Sequence, residues 1–214
     1  REEPVGVALG RHLRRIGRRI DHIDGLFDPV GYLRRLQAAL GGEGSSRPFY
    51  LVVEKILEAN EELPLSFPVY GTTGYEFLTA LSGLFVDRHG LAALDRVHAR
   101  FSGERERFSN ILYRQKKRVQ SELFGGEVRK HGTELFRLAQ DDRHALDVSP
   151  RDLERAIIEV VSCFPVYRSY TRDRDVSEAD RAHLEQAFAE ARKHIEPETE
   201  RALSFLRRVL LLIQ

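Results

Sequence analysis

Two carboxylates stand where a parallel sheet would bring them together. Glu54 follows the apolar run Phe49-Tyr50-Leu51-Val52-Val53, and Asp21 follows Arg19-Ile20. An unbroken run of β-formers has the pattern of a strand buried on both faces. Arg19-Ile20-Asp21-His22-Ile23 reads as a shorter strand ending in a polar loop. Active sites of parallel sheets and α/β barrels lie at the C-terminal strand ends. If the two strands are parallel neighbours, Asp21 and Glu54 share one mouth. Such a pair suits chemistry at a glycosidic carbon. One carboxylate, ionised, attacks the anomeric carbon or stabilises its positive charge; the other, protonated, gives its proton to the leaving oxygen. Arg19, two residues before Asp21, would project on the same side of the strand. A guanidinium there would orient the carboxylate and favour its charged form. The bland alternative makes Asp21 and Asp24 turn residues and Glu54 a surface charge, because 33 acidic side chains make a chance pairing easy.

The elements around the pair can be read from periodicity. Asp28-Pro29 supplies a helix cap and a first-turn proline. Leu33, Leu36 and Leu40 then fall on one face, and Gly41-Gly42 stops the helix ahead of a loop at 42–46. Strand, helix, strand makes a βαβ unit. Upstream, Leu9, Leu13 and Ile16 suggest a short amphipathic helix that Gly17 interrupts. From about residue 74 the pattern turns helical. Helices are expected over 75–86, 91–101, 105–123 and 198–213. Two more open where Ser149 and Ser177 precede Asp152 and Asp180 by three residues, a variant of the capping box. The expected fold is mainly α with a small β part, divided at 70/71.

Composition narrows the function classes. With 42% hydrophobic and 31% charged residues the chain is an ordinary globular sequence. The 34 basic and 33 acidic side chains nearly cancel, so neither nucleic acid nor an anionic membrane is an expected partner. A single cysteine, Cys163, excludes a disulfide within the chain and reads as a buried helical residue. The eight histidines show no i, i+3 or i, i+4 pairing, and no metal site is expected. The longest apolar run, Val209-Leu210-Leu211-Leu212-Ile213, is too short for a bilayer, and a cytoplasmic protein is expected. The chain holds no methionine, and both ends read as cuts through a longer protein.

Five segments, in order, carry a resemblance. They are Arg19-Ile20-Asp21-His22-Ile23-Asp24-Gly25-Leu26; Val53-Glu54-Lys55-Ile56-Leu57; Gly71-Thr72-Thr73-Gly74-Tyr75; Cys163-Phe164-Pro165-Val166-Tyr167-Arg168-Ser169-Tyr170; and Leu206-Arg207-Arg208-Val209-Leu210-Leu211. Together they resemble maltooligosyltrehalose synthases, members of the α-amylase-type retaining glycosidases. The resemblance implies a partial (β/α)8 barrel over 1–70 and a helical insert domain over 71–214 packing over the active-site mouth. It implies Asp21 as nucleophile, Glu54 as acid/base and Arg19 as the residue holding Asp21. His22 would bond the sugar ahead of the scissile bond, and Asp24 would shape the loop or touch sugar. Tyr75 and Tyr167 would position the reducing-end glucose or serve as core aromatics. Thr72 and Thr73 would bond sugar hydroxyls or cap a helix, and Arg168 would join the substrate-binding set. The implied substrate is a maltooligosaccharide, rearranged without any cofactor into a trehalose-ended glucan.

Departures from the family pattern come with it. The early barrel strands and the third catalytic carboxylate have no equivalent within these residues, so the isolated chain is expected to be inactive. Arg18 replaces an apolar residue, and burying it would cost several kcal/mol unless paired. An uncovered strand edge would favour aggregation. One rival is another retaining glucanotransferase or hydrolase. A second is a non-catalytic helical module binding glucan or protein through the basic runs at 114–118 or 172–174, which otherwise read as solvated faces. The sequence leaves the oligomeric state open.

Overall fold

The computed structural model describes residues 17–41, 48–172 and 176–213. The chain divides into two compact units, Arg1–Val97 and His98–Gln214. The helix expected around Leu9, Leu13 and Ile16 lies outside the described residues.

The first unit is built on a three-stranded parallel sheet in the order β1 (Arg18–Ile20), β2 (Leu51–Val53), β3 (Gly71–Thr72). Arg18, Arg19 and Ile20 pair with Leu51, Val52 and Val53, and Val52 and Val53 pair with Gly71 and Thr72. Helix α1 (Pro29–Gly41) makes the β1-to-β2 crossover that parallel strands require. Asp28 caps it as expected, accepting from the Gly31 N–H at 2.9 Å. Leu51, Val53, Leu33 and Ile23 are fully buried. Gln37 of α1 reaches the entry to the sheet. Its amide donates to the carbonyls of Phe49 (2.9 Å) and Pro68 (2.7 Å) and accepts from the Phe49 N–H (2.8 Å).

Three sequence expectations change here. β1 starts at Arg18, not Arg19, and that side chain is only partly buried, so the anticipated full desolvation cost does not arise. Gly71–Thr72, expected in the helical part, is the third strand, fastened by Tyr70 N–H to Leu51 O (2.8 Å) and Thr73 N–H to Val53 O (2.9 Å). Helix α2 (Tyr75–Gly83) ends three residues earlier than expected, and neither it nor α3 (Arg88–Ser102) has a buried side chain.

The second unit is helical: α4 (Phe108–Glu122), α5 (Gly125–Ala139), α6 (Pro150–Cys163), α7 (Glu178–Ala191) and α8 (Glu200–Leu211). Helix α6 is central and packs on α4, α5, α7 and α8. Its buried Leu153, Ala156 and Val160 follow helical spacing and join Leu184, Phe188, Leu203, Phe205 and Leu206 in one core. Each fully buried large side chain contributes about 1.5–3 kcal/mol. The helix at 125–139 escapes a sequence reading because Gly125-Gly126 and Gly132 look like breakers. Ser149 and Ser177 cap α6 and α7, accepting from the N–H of Asp152 (3.2 Å) and Asp180 (3.1 Å). Asp180 also accepts from the Tyr170 N–H at 3.1 Å, tying the preceding loop to α7. Buried Glu159 of α6 accepts from Tyr113 Oη at 2.5 Å and from Lys117, clamping α4 to α6. Cys163 is half-buried, and burial, followed by the Glu159 charge, pushes its thiol up to about 11.

Candidate active site

Parallel pairing of β1 with β2 sets the site. The last hydrogen bond between them runs from the Glu54 N–H to Ile20 O at 2.7 Å. Asp21 and Glu54 therefore leave adjacent strands at the same level, as the sequence predicts. Arg19 reaches both carboxylates. Its Nε donates to Asp21 Oδ1 at 2.5 Å, and its Nη2 lies 3.7 Å from Glu54 Oε1. The hydrogen bond to Asp21, then the Asp21 charge, raises the Arg19 pKa, with Glu54 and Tyr75 adding to the effect. More than half of the Arg19 side chain is solvent-exposed, so the ion pairs orient the groups more than they stabilise the fold.

His22 turns the chain sharply. Its φ of 53° and ψ of 37° place it in the left-handed region. This directs its N–H to Glu54 Oε2 at 3.1 Å and leads into a one-turn 3-10 segment, Ile23–Gly25. Fully buried Ile23 anchors that turn. The second carboxylate is thus held from the first carboxylate's own loop.

The end of β3 adds hydroxyl groups at the same end of the sheet. Thr72 Oγ1 accepts from the Gly74 N–H at 3.1 Å and donates to Glu76, so Thr72 serves the start of α2. Gly74 stands at φ 94°, a conformation that favours glycine, at the N-cap of α2. The Thr73 hydroxyl is buried and makes no hydrogen bond among the described residues. Asp24 turns toward Lys55 Nζ at 3.3 Å. Tyr167 and Arg168 belong to the second unit. Tyr167 is three-quarters exposed, hence no core aromatic. Arg168 lies over the Tyr170 ring, 5.1 Å from its centroid.

Two residues were missed from sequence: Lys55 and Glu61. The signal was present in the β2 alternation, because Leu51, Val53 and Lys55 share one face and all three are buried. Lys55 Nζ lies 2.6 Å from Glu61 Oε1.

Elsewhere the side chains offer less chemistry. No group of three His, Cys, Asp or Glu able to hold a metal occurs among the described residues. Nor is any described helix long and apolar enough to cross a membrane. A pocket of about 1090 Å³ in the second unit is lined by Asp142, His144, Phe205 and Arg208, none of them an expected site residue. The basic run at 114–118 is paired internally, Arg114 with Glu106 at 2.5 Å and Arg118 with Glu122 at 2.9 Å. Of the second run, Arg174 lies outside the described residues.

No family model matches the chain. Proteins of two Mycobacterium tuberculosis strains, CDC 1551 / Oshkosh and ATCC 25618 / H37Rv, bear the name maltooligosyl trehalose synthase. They are 45% identical to it over 78 residues, which is 36% of this chain and 10% of theirs. Among solved structures, maltooligosyltrehalose synthase from Arthrobacter ramosus matches 96% of this chain with a TM-score of 0.73 at 29% identity. A glycosyltrehalose synthase matches 90% with a TM-score of 0.59 at 28% identity. The chain covers only 24% and 23% of those two chains. It is thus similar in sequence and fold to a segment of maltooligosyltrehalose synthases, as its motifs imply.

Proposed function

We propose that this chain carries the nucleophile and the acid/base of an intramolecular transglucosylation that turns the reducing end of a maltooligosaccharide into an α,α-1,1 trehalose end. The observation that carries the reading is the pairing of Asp21 and Glu54 at adjacent parallel strand ends, both in reach of Arg19. The names of the similar proteins support the same substrate class.

In this reading Glu54 gives its proton to the oxygen of the last α-1,4 bond, and Asp21 attacks the anomeric carbon on the other side. That bond breaks, glucose leaves, and a covalent glycosyl ester of Asp21 remains. The released glucose then presents its anomeric hydroxyl. Glu54 takes that proton, the glucose oxygen attacks the anomeric carbon of the glycosyl ester, the bond from that carbon to Asp21 breaks, and Asp21 departs as a carboxylate. Two inversions retain the α configuration at the donor carbon, and attack by the α anomer of the glucose makes the linkage α,α. Arg19 orients Asp21, and the His22 N–H orients Glu54. The His22 imidazole, Thr72 and Tyr75 contact the sugars near the bond. The three strands are an arc of a (β/α)8 barrel, and the helical part is its insert. Water must be kept from the ester, because hydrolysis would release a reducing sugar instead.

Product analysis tests the reading. Incubation of the complete gene product with maltopentaose is expected to give a five-glucose product without a reducing end. Accumulation of glucose and shorter reducing chains would instead assign a retaining hydrolase or glucanotransferase. Saturable glucan binding without turnover, unaffected by Glu54→Gln, would assign a binding module.

A further inference from the structure

A buried cation sits one residue beyond Glu54. The Lys55 side chain has no exposed surface, and its two carboxylate partners are nearly as enclosed, Glu61 at 5% exposure and Asp24 at 15%. A buried ammonium persists only where it is paired and hydrogen-bonded. The face it occupies otherwise carries Leu51 and Val53, so an aliphatic residue would fit the strand pattern. The charge therefore has work beyond filling space.

The contacts to Asp24 and Glu61 join three segments. Asp24 belongs to the Ile23–Gly25 turn that follows Asp21 and His22. Lys55 itself continues β2. Glu61 is fixed by its own loop: its carboxylate accepts from the Glu58 N–H at 3.1 Å, and its N–H donates to Glu58 O at 3.0 Å. The turn after β1 needs such an anchor. Sheet pairing stops at the bond from Glu54 N–H to Ile20 O. The left-handed peptide that aims the His22 N–H at Glu54 lies beyond that bond.

We propose that Lys55 is a positioning residue that acts through Asp24, holding the turn after β1 so that Asp21 and the His22 N–H stay in register with Glu54. The proposal rests on the assignment of Asp21 and Glu54 as the reacting pair.

The test compares Asp24→Asn with Glu61→Gln in the complete gene product. Each change removes one negative charge from the same buried cluster with little change of size, but only the first loosens the turn. For Asp24→Asn, kcat on maltopentaose is expected to fall about tenfold or more with KM within about twofold. Hydrogen exchange at the Gly25 and Leu26 amides should speed up about tenfold, and the His22 amide resonance should shift. Glu61→Gln should leave the His22 resonance in place and kcat within about twofold. If Asp24→Asn does not fold, Asp24→Glu, which keeps the charge and displaces it by one methylene, is read in the same way. An unmoved His22 amide in the Asp24 variant overturns the proposal. Equal losses of kcat in both variants also overturn it, since the cluster would then be structural only. An unmodified protein that leaves maltopentaose unchanged would refute the proposed function, while the His22 amide would still decide the positioning role.

Discussion

The His22 N–H meets the Glu54 carboxylate at 3.1 Å from a left-handed backbone at φ 53°, ψ 37°. A non-glycine residue in that region costs of order 1–3 kcal/mol and persists where surrounding structure imposes it. His22→Gly should therefore keep the backbone bond and raise or preserve the melting temperature. The same change should raise KM for maltopentaose, because the imidazole is gone. His22→Val, β-branched and poorly suited to φ near 53°, should lower stability by about 1–3 kcal/mol. Thermal melts beside steady-state kinetics check both variants.

Arg19 contacts two carboxylates through two different nitrogens. A lysine carries the charge on a single point and cannot reproduce a fork. Arg19→Lys is expected to lower kcat about tenfold or more with little change in melting temperature. Equal kcat would show that only the charge matters.

Cys163 gives an alkaline signature. Its thiol is pushed from an ordinary value near 9 to about 11, and burial likewise raises the Tyr113 hydroxyl, which donates to Glu159. Both groups stay protonated in the folded state above the pH at which the unfolded chain loses those protons. The unfolded state then binds fewer protons, so stability falls as pH rises through about 9 to 11. Cys163→Ala should flatten the first part of that decline. At pH 8 alkylation of Cys163 should run about tenfold or more slower than that of a free thiol of ordinary pKa, the smaller thiolate fraction outweighing its higher intrinsic reactivity. Equal alkylation rates would contradict the burial argument.

Two glycines of α5 should respond oppositely to alanine. A methyl group at Gly132 would meet Glu154 Cγ at 2.7 Å and the Pro150 carbonyl at 3.4 Å, whereas none of the surrounding atoms lies within 4 Å at Gly126. Gly126→Ala should raise stability by up to about 1 kcal/mol through helix propensity. Gly132→Ala should lower it, because the Glu154 side chain would have to be pushed from its place at the α5–α6 contact. Denaturant titration separates the two signs.

Much of this site is legible in the sequence. The apolar run before Glu54, the Asp28-Pro29 helix start and the serine caps at Ser149 and Ser177 are local signals, and local chemistry decides them. What escapes is what long-range pairing decides. Gly71–Thr72 is a strand only because Leu51 and Val53 supply carbonyls for the Tyr70 and Thr73 N–H groups. The fork of Arg19 across two strands requires the register. The left-handed His22 has no glycine to announce it. Lys55 looks like a surface charge until the alternation of Leu51 and Val53 is continued by one step.

The most direct test is chemical trapping of the covalent intermediate. The complete gene product is incubated with a fluorinated glucosyl fluoride that forms the ester quickly and loses it slowly, and the digested protein is mapped by mass spectrometry. The account predicts one glucosyl adduct on the peptide carrying Asp21, absent in Asp21→Asn, with turnover of maltopentaose reduced at least about a thousandfold in that variant. An adduct on another carboxylate, or undiminished turnover in Asp21→Asn, would contradict it.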